Sequence, residues 1–398
     1  LHKKVHKFYS NGGTRLDIST KPIVSGPKKH IVGQEEAKKA VAIALRNRSR
    51  RSQLSPEMRE EITPKNIIMK GPTGVGKTEI ARRLAKLVKA PFIKVEATKY
   101  TEVGYVGKDV EGMVRDLVES AVRLVKDEKA AEVSVKATAA AEQRVVKILS
   151  ELKKADRGET PREVFEANLL ESLRKGVFDN LVVEADVRDE PKTMELVPGG
   201  AAINLGSIFG EMLPPKKKRR KIAVKELMKL FLAEESDKLI DNDAVEEEAV
   251  RRAENDGIIF IDEIDKIAAK GNTGGADVSR EGVQRDILPI VEGSTVMTKY
   301  GPVKTDYMLF IAAGAFHVAR VEDLIPELQS RFPVSVELTP PTTEDFVNIL
   351  TSTEHSLTRH YPVPPAADHH DFKSPPDAIQ PITALPEDIT RTPHAPGH

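Results

Sequence analysis

The sequence predicts an α/β fold in which a parallel sheet is interrupted by an inserted, mostly helical domain. Short apolar segments alternate with segments of helical composition, which is typical of a parallel sheet covered by helices. One apolar segment leads directly into the glycine-rich loop 71–78, and another ends in two carboxylates, Asp262 and Glu263. The long stretch between these two features exceeds what the intervening strand–helix units of one sheet need, at ~30 residues each. The surplus indicates an insertion.

The composition limits the functions that the 398-residue chain can have. Lys and Arg together number 61, as do Asp and Glu, so no net charge draws the chain to nucleic acid or to a membrane. There are no cysteines, which excludes disulfides, thiolate catalysis and cysteine-based zinc sites. No apolar run approaches the ~18–20 residues of a membrane span, so a membrane is not expected as a partner.

Five apolar segments are the predicted strands, and helices are predicted on both sides of the glycine-rich loop. The helix over 35–51 is predicted by charged and apolar residues at helical spacing. A second helix, over 78–88, follows the loop directly. The predicted strands are 66–69, 92–95, 257–261, 308–312 and 335–338.

The loop 71–78 matches the phosphate-binding pattern G-x4-GK[ST] in full. Its glycines let backbone N–H groups curve around phosphates without Cβ clashes, and the following helix adds the positive end of its dipole. Lys77 is expected to bridge the β- and γ-phosphates of ATP, and Thr78 to offer its hydroxyl to Mg²⁺. A chance match in a glycine-rich turn is disfavoured by the strand before the loop and the helix after it. The residues predicted to contact the nucleotide here are Gly74, Val75, Gly76, Lys77, Thr78 and Glu79.

The acidic end of the strand 257–261 predicts the catalytic half of the site. Ligand groups gather at the carboxyl ends of parallel strands, so Asp262 is expected beside the phosphate loop, holding Mg²⁺ partly through water. Glu263 would then polarise the attacking water as catalytic base. Asp265 is predicted to cap the next helix. The alternative is a solvated acidic loop, which the paired phosphate loop disfavours.

These features divide the chain into five segments. Residues 1–29 are basic and predict a disordered arm, with the remnant of an organellar targeting segment as the alternative. Residues 30–109 and 244–340 form the predicted nucleotide-binding domain, and 110–243 the helical insertion. Residues 341–398 are rich in Pro and His and predict a disordered tail.

Three motifs in combination resemble the HslU family, also called ClpY, the AAA+ unfoldase ATPases of a two-component ATP-dependent protease. They are the phosphate loop with its flanks at 63–84, the segment 104–107 and the segment 262–266. The similarity runs from about residue 30 to residue 339, and the insertion is similar to the family's intermediate domain. The resemblance implies a P-loop AAA+ core in a homo-hexameric ring, with ATP bound between subunits.

The resemblance also implies a chaperone function and its partners. Unfolded proteins would be the substrates, delivered to a separate HslV-like peptidase, since no proteolytic nucleophile set is visible in this chain. A mobile loop would line the central pore, with Tyr105 gripping substrate; a packed loop aromatic is the alternative. The implied pore-loop residues are Gly104, Tyr105, Val106 and Gly107.

Three further positions take their implied roles from the family alone. Arg331 resembles the arginine finger that reaches the γ-phosphate of the neighbouring subunit, and a surface arginine is the alternative. Glu327 matches another position near the nucleotide. Val32 matches a residue that packs on adenine, and an ordinary hydrophobic residue at the start of a helix is the alternative.

Two other functions remain open at this point. Residues 341–398 do not match the family's small helical domain, so one alternative is a ring component that binds ATP but does not hydrolyse it. The basic run 216–221 resembles a nuclear localisation signal or a nucleic-acid patch, and the other alternative is an AAA+ motor on nucleic acid. No aromatic residues are interleaved with the run, so a solvated linker is predicted and nucleic acid is not expected as a partner. The expected location is the cytoplasm, with the mitochondrial matrix as the alternative.

Overall fold

The computed structural model describes residues 33–51, 54–55, 57–58, 62–101, 108–188, 217–268, 280–342 and 345. The chain divides into two compact units, unit 1 with Leu1–Val125 and Glu246–His398, and unit 2 with Lys126–Val245. No helix in the described ranges is both long and apolar enough to cross a membrane.

Unit 1 contains a parallel sheet of five strands, which are β1 (Ile67–Lys70), β2 (Phe92–Glu96), β5 (Ile258–Asp262), β8 (Leu309–Gly314) and β9 (Val334–Glu337). Their order in the sheet is β2-β5-β8-β1-β9, which confirms the predicted fold class. A small antiparallel hairpin, which was not predicted from the sequence, precedes β8 and consists of β6 (Thr295–Thr298) and β7 (Gly301–Lys304).

The central strands are apolar because both of their faces are covered. All six residues of β8 are buried, as are the first four of β5 and the first three of β1. Parallel strands of this kind give uninterrupted apolar runs in the sequence. All five predicted strands are therefore present, with ends shifted by at most two residues.

Helices α1 and α2 pack on one face of the sheet. Ala37 and Val41 of α1, with Ile80 and Leu84 of α2, belong to one buried cluster with side chains of β1, β5 and β8. The α-helices are α1 (Glu35–Arg51), α2 (Lys77–Leu87), α3 (Gly112–Leu152), α4 (Arg162–Arg174), α5 (Val224–Leu239), α6 (Asn242–Asp256), α7 (Ile264–Ala268), α8 (Arg280–Glu292) and α9 (Pro326–Ser330).

The inserted unit begins later than predicted. Unit 2 starts at Lys126 rather than at residue 110. The reason is that the first turns of α3 pack on unit 1: the Ser120 hydroxyl donates to the carbonyl of Phe92 at 3.2 Å, and a Cβ on Gly257 would lie 2.6 Å from the Leu117 side chain. The helix thus contributes to the core of unit 1 before the chain enters unit 2.

Residues 217–221 of the basic run lie in a strand of unit 2, so the predicted linker is wrong there. They belong to β4 (Lys217–Ala223), which pairs antiparallel with β3 (Val182–Arg188). On the outer face Arg219 lies 3.6 Å from Asp186, and Lys221 lies 3.7 Å from Glu184. The opposite face packs on α4 and α5 through residues such as Val183 of β3 and Phe231 of α5. The basic side chains of the outer face therefore meet acidic partners on the neighbouring strand.

Candidate nucleotide-binding site

The loop between β1 and α2 has the backbone shape of a phosphate cradle. Gly71, Gly74 and Gly76 have positive φ values of 150°, 82° and 90°. A Cβ on Gly71 would lie 2.6 Å from the carbonyl oxygen of Leu338, so no other residue fits there. Around Gly74 and Gly76 the corresponding space is open, leaving room for an anion beside the backbone.

Lys77 is the first residue of α2, and its side chain lies along the loop. The residue is 8% exposed, and its Nζ donates to the carbonyl oxygens of Gly71 at 2.5 Å and Pro72 at 2.7 Å. Burial lowers its pKa from the ordinary lysine value, and the charges of Asp262 and Asp265 oppose that shift. An ammonium held in this way can exchange a carbonyl for a phosphate oxygen, which is the stronger, charge-assisted partner.

The residues on either side of Lys77 differ in what they offer to a ligand. Val75 is buried in the core and Thr78 is half-buried at the second position of α2. The Glu79 carboxylate pairs with Arg83 and lies 3.5 Å from Arg82 on the same helix. A nucleotide contact by Glu79 therefore stays a prediction for its backbone N–H rather than for its side chain.

Asp262 and Glu263 follow one another at the carboxyl end of β5. Asp262 pairs with Lys94 of β2 at 2.7 Å, and its Oδ1 accepts a hydrogen bond from the Glu263 N–H at 3.1 Å. Glu263 has a left-handed backbone with φ 58°, which is uncommon outside glycine and clusters at functional sites. Its exposed carboxylate accepts a hydrogen bond from the Thr98 hydroxyl at 3.4 Å.

Asp265 does not cap a helix, so that prediction is wrong. It is the second residue of α7 and is buried, and its Oδ2 accepts a hydrogen bond from the Phe316 N–H at 3.3 Å. A Cβ on Gly314 would lie 2.7 Å from Asp265 Oδ1. Asp265 therefore joins α7 to the end of β8, and this close approach requires glycine at 314.

The structure brings the two predicted halves of the site to one edge of the sheet. Only β8 separates β1 from β5, and the Gly314 carbonyl at its end accepts a hydrogen bond from the Gly71 N–H at 3.2 Å. Lys77, Thr78, Asp262 and Glu263 thus share the carboxyl edge, where ligands bind in open α/β sheets.

The donor set at this edge fits ATP with Mg²⁺. The cradle, the buried ammonium of Lys77 and the amino-terminal end of α2 suit a polyphosphate. No group of three or more metal-binding side chains occurs in the described part of the chain. That is compatible with Mg²⁺, which is commonly held by one or two protein ligands together with phosphate oxygens and water. Thr78 and Asp262 are the side chains that would hold it.

Arg331 and Glu327 lie at the other edge of the sheet. Glu327 is in α9 and Arg331 follows its last residue, just before β9. Val334 pairs with Ile67 at the start of β1, whereas the phosphate loop follows the end of β1, one strand length or ~13 Å away. The structure therefore does not bring these two residues to the phosphate loop of their own chain.

Two predicted elements fall outside the described residues. Val32 immediately precedes the described range, and Gly104, Tyr105, Val106 and Gly107 lie between its ranges. The residues that flank the predicted pore loop are close together, because Tyr100 and Lys108 form a parallel bridge.

Sequence reasoning missed several residues that contact the predicted functional residues. Lys94 and Thr98 contact the acidic pair, and Glu292 accepts hydrogen bonds from Arg331. Gly314 permits the close approach between β8 and α7. The one available signal was the glycine at the end of a predicted strand, which often marks close backbone approach.

Comparison with known proteins agrees with this geometry. The model of the ATPase family associated with various cellular activities (AAA) matches residues 67–165, and that of the AAA domain (Cdc48 subfamily) matches residues 193–335. The fold and the site define an AAA+ P-loop ATPase, an enzyme that hydrolyses ATP.

The relatives define the family within that class. Proteins named ATP-dependent protease ATPase subunit HslU are similar to this chain. The one from Caldanaerobacter subterraneus subsp. tengcongensis is 56% identical over 93% of this chain and 85% of that protein. Those from Thermoanaerobacter sp. (strain X514) and Persephonella marina are 57% and 52% identical, over 87% and 94% of this chain and 80% and 86% of their own lengths. The chain belongs to the HslU family, and the predicted resemblance is confirmed. Since 93% of the chain aligns with the first relative, the similarity extends beyond residues 30–339 into at least one flanking segment.

Proposed function

We propose that this chain is the unfoldase subunit of a ring that feeds protein substrates to an HslV-like peptidase. The observation that carries the proposal is the separation of Arg331 from the phosphate loop of its own chain, at opposite edges of one sheet. A finger on one edge and a cradle on the other suit a head-to-tail ring in which each subunit completes the site of its neighbour. The names of the relatives, which are ATPase subunits of a protease, support the partner peptidase.

In this proposal each site residue has one task. The loop backbone and Lys77 bind the phosphates of ATP, while Thr78 and Asp262 hold Mg²⁺, which supplies charge stabilisation to the phosphoryl group. Glu263 orients and polarises the attacking water. Arg331 of the neighbouring subunit stabilises the developing charge.

Substrate handling is assigned to the loop that contains Tyr105. The Tyr100–Lys108 bridge closes the base of this loop, and Thr98, which donates to Glu263, lies two residues before Tyr100. A short stretch of chain thus joins the hydrogen-bond partner of Glu263 to the segment that contains Tyr105. An aromatic side chain on such a loop can grip a polypeptide with little dependence on its sequence.

A nucleic-acid motor is less well supported. Arg219 and Lys221 of the basic run face Asp186 and Glu184 across the hairpin, which reduces the positive field available to phosphates.

The proposal is tested by ATP turnover with an unfolded protein, with DNA and with neither, together with gel filtration in ATP. We expect a large ring and stimulation by unfolded protein alone. Stimulation by DNA instead would transfer the function to nucleic acid. ATP binding without turnover would leave a ring component that does not hydrolyse ATP.

A second measurement addresses the peptidase. An HslV-like peptidase is mixed with the ring and a folded, tagged substrate. We expect degradation that requires ATP and that stops with Tyr105→Ala, whereas ATP turnover continues. Degradation that persists with Tyr105→Ala would contradict the role of the loop.

A further inference from the structure

Asn66 connects three elements at the amino-terminal edge of the sheet. It immediately precedes β1 and is 7% exposed. Its side-chain Oδ1 accepts a hydrogen bond from the Phe310 N–H of β8 at 3.0 Å, and its Nδ2 donates to the Arg331 carbonyl at 3.0 Å. Its own carbonyl accepts from the Val334 N–H of β9 at 3.4 Å.

The side-chain amide is matched to its two partners. A buried amide requires hydrogen bonds, and Asn66 has one on its oxygen and one on its nitrogen. Aspartate has the same length but offers acceptors only, so it could accept from Phe310 and could not donate to Arg331. Alanine offers neither group.

The bond to Arg331 bears on the guanidinium through the backbone. Arg331 is exposed, and its N–H donates to the Leu328 carbonyl at 3.1 Å while its carbonyl is held by Asn66. These two bonds fix the peptide units on both sides of its Cα. The direction in which the long side chain leaves the surface follows from that Cα position.

We propose that Asn66 is a positioning residue for the arginine finger and acts on the ATP site of the neighbouring subunit. The inference rests on the proposed function, in which Arg331 reaches across the interface. The same residue immediately precedes β1, and the carboxyl end of that strand leads into the phosphate loop of its own chain. Within one subunit, Asn66 therefore connects the phosphate-binding loop with Arg331, the residue that reaches the site of the neighbouring subunit.

Asn66→Asp separates this role from a general role in folding. It preserves the acceptor for the Phe310 N–H and places an acceptor against the Arg331 carbonyl. We expect the rate of ATP turnover to fall by a factor of about ten or more. The affinity for a fluorescent ATP analogue should change by less than about twofold. Asn66→Ala serves as the second variant and loses both bonds without adding a charge.

Mixed rings decide on which site Asn66 acts. Asn66→Asp is combined in equal amounts with Glu263→Gln, which has an intact finger and an inactive site of its own. An Asn66→Asp site beside a Glu263→Gln neighbour would then be complete. With random pairing we expect about a quarter of the parental turnover, although each variant alone is nearly inactive.

Arg331→Ala mixed with Glu263→Gln is the matched control. If the control recovers turnover and the Asn66→Asp mixture does not, Asn66 acts on its own site and the inference is overturned. If the control also fails, the arrangement of sites between subunits is wrong, and the proposed function fails with it. If neither Asn66 variant forms rings, its role is structural and the positioning role is rejected.

Discussion

The guanidinium of Arg331 donates from both Nε and Nη2 to one carboxylate oxygen, Oε1 of Glu292, at 3.0 and 2.6 Å. Glu292 ends α8, so the pair joins that helix to the turn before β9. The two side chains are 48% and 37% exposed, and exposed ion pairs contribute only about 0–1 kcal/mol to stability. The pair can therefore open at little cost when a phosphate of a neighbouring subunit offers a stronger partner.

Removing Arg331 should abolish turnover without unfolding the protein. For Arg331→Ala we expect a loss of about 1 kcal/mol or less in stability. Steady-state ATP hydrolysis should fall by at least about 1,000-fold, while binding of a fluorescent ATP analogue is retained. The matched control is Arg285→Ala, which removes an exposed arginine of α8 that pairs with Glu281 at 2.6 Å. Similar turnover in the two variants would show that Arg331 is an ordinary surface arginine.

We expect Lys94 to compete with a cation for the carboxylate of Asp262. Its Nζ lies 2.7 Å from Asp262 Oδ2. For Lys94→Met we expect the Mg²⁺ concentration for half-maximal nucleotide binding to fall by about threefold, because a competing charge is removed from the carboxylate. The measurement is a Mg²⁺ titration at fixed nucleotide concentration.

The control for Lys94 is Lys99→Met, which breaks a nearby pair with Glu96 at 3.1 Å. This variant should leave the Mg²⁺ midpoint unchanged. An increased Mg²⁺ requirement in Lys94→Met would contradict competition and would indicate that Lys94 holds Asp262 in its binding orientation.

We expect the contribution of Glu248 to the free energy of unfolding to be lost at acid pH. Burial raises the pKa of this carboxyl, but hydrogen bonds from Arg251 and Arg252 outweigh burial and lower it from 4.5 to about 2. Because the pKa is depressed in the folded state, its contribution is present above about pH 4.5 and disappears as the pH falls towards 2. The stability difference between the parent and Glu248→Gln should therefore shrink over that window.

Urea unfolding at several pH values between 7 and 3 measures the effect of Glu248. Glu247→Gln, at the neighbouring exposed position, is the matched control and is unfolded over the same pH range. A difference between parent and Glu248→Gln that stays constant down to pH 3 would refute the depressed pKa.

The sheet was predictable because of the way in which it is buried. Strands covered on both faces appear in the sequence as short apolar runs, and Ile67–Lys70 and Leu309–Gly314 are such runs. The two hairpins lack this signal. The strand Lys217–Ala223 is rich in charged residues, which do not predict a strand. Its pairing partner, Val182–Arg188, is distant in the sequence, so no local pattern reveals the pair. The strand Thr295–Thr298 is four residues long, and only one of its residues is buried.

The site was predictable only where its residues are close together in the sequence. The spacing around Lys77 and the pair Asp262–Glu263 carry the chemistry locally. Asn66 and Arg331 are separated by 265 residues, and Arg331 and Glu292 by 39. No local pattern encodes such pairs, because they exist only once β1, β8 and β9 are aligned in the sheet.

The most direct test of the account is ATP hydrolysis by this chain and by its Glu263→Gln variant, with gel filtration in ATP on the same samples. The side-chain amide of the variant keeps the size of the carboxylate and cannot polarise water as a base. We expect turnover by the parent, a loss of at least about 100-fold in the variant, and a large ring with bound ATP in both. Equal turnover in the two proteins, or a parent that binds ATP without forming a ring or hydrolysing it, would show that Glu263 is not the base of a working ring ATPase.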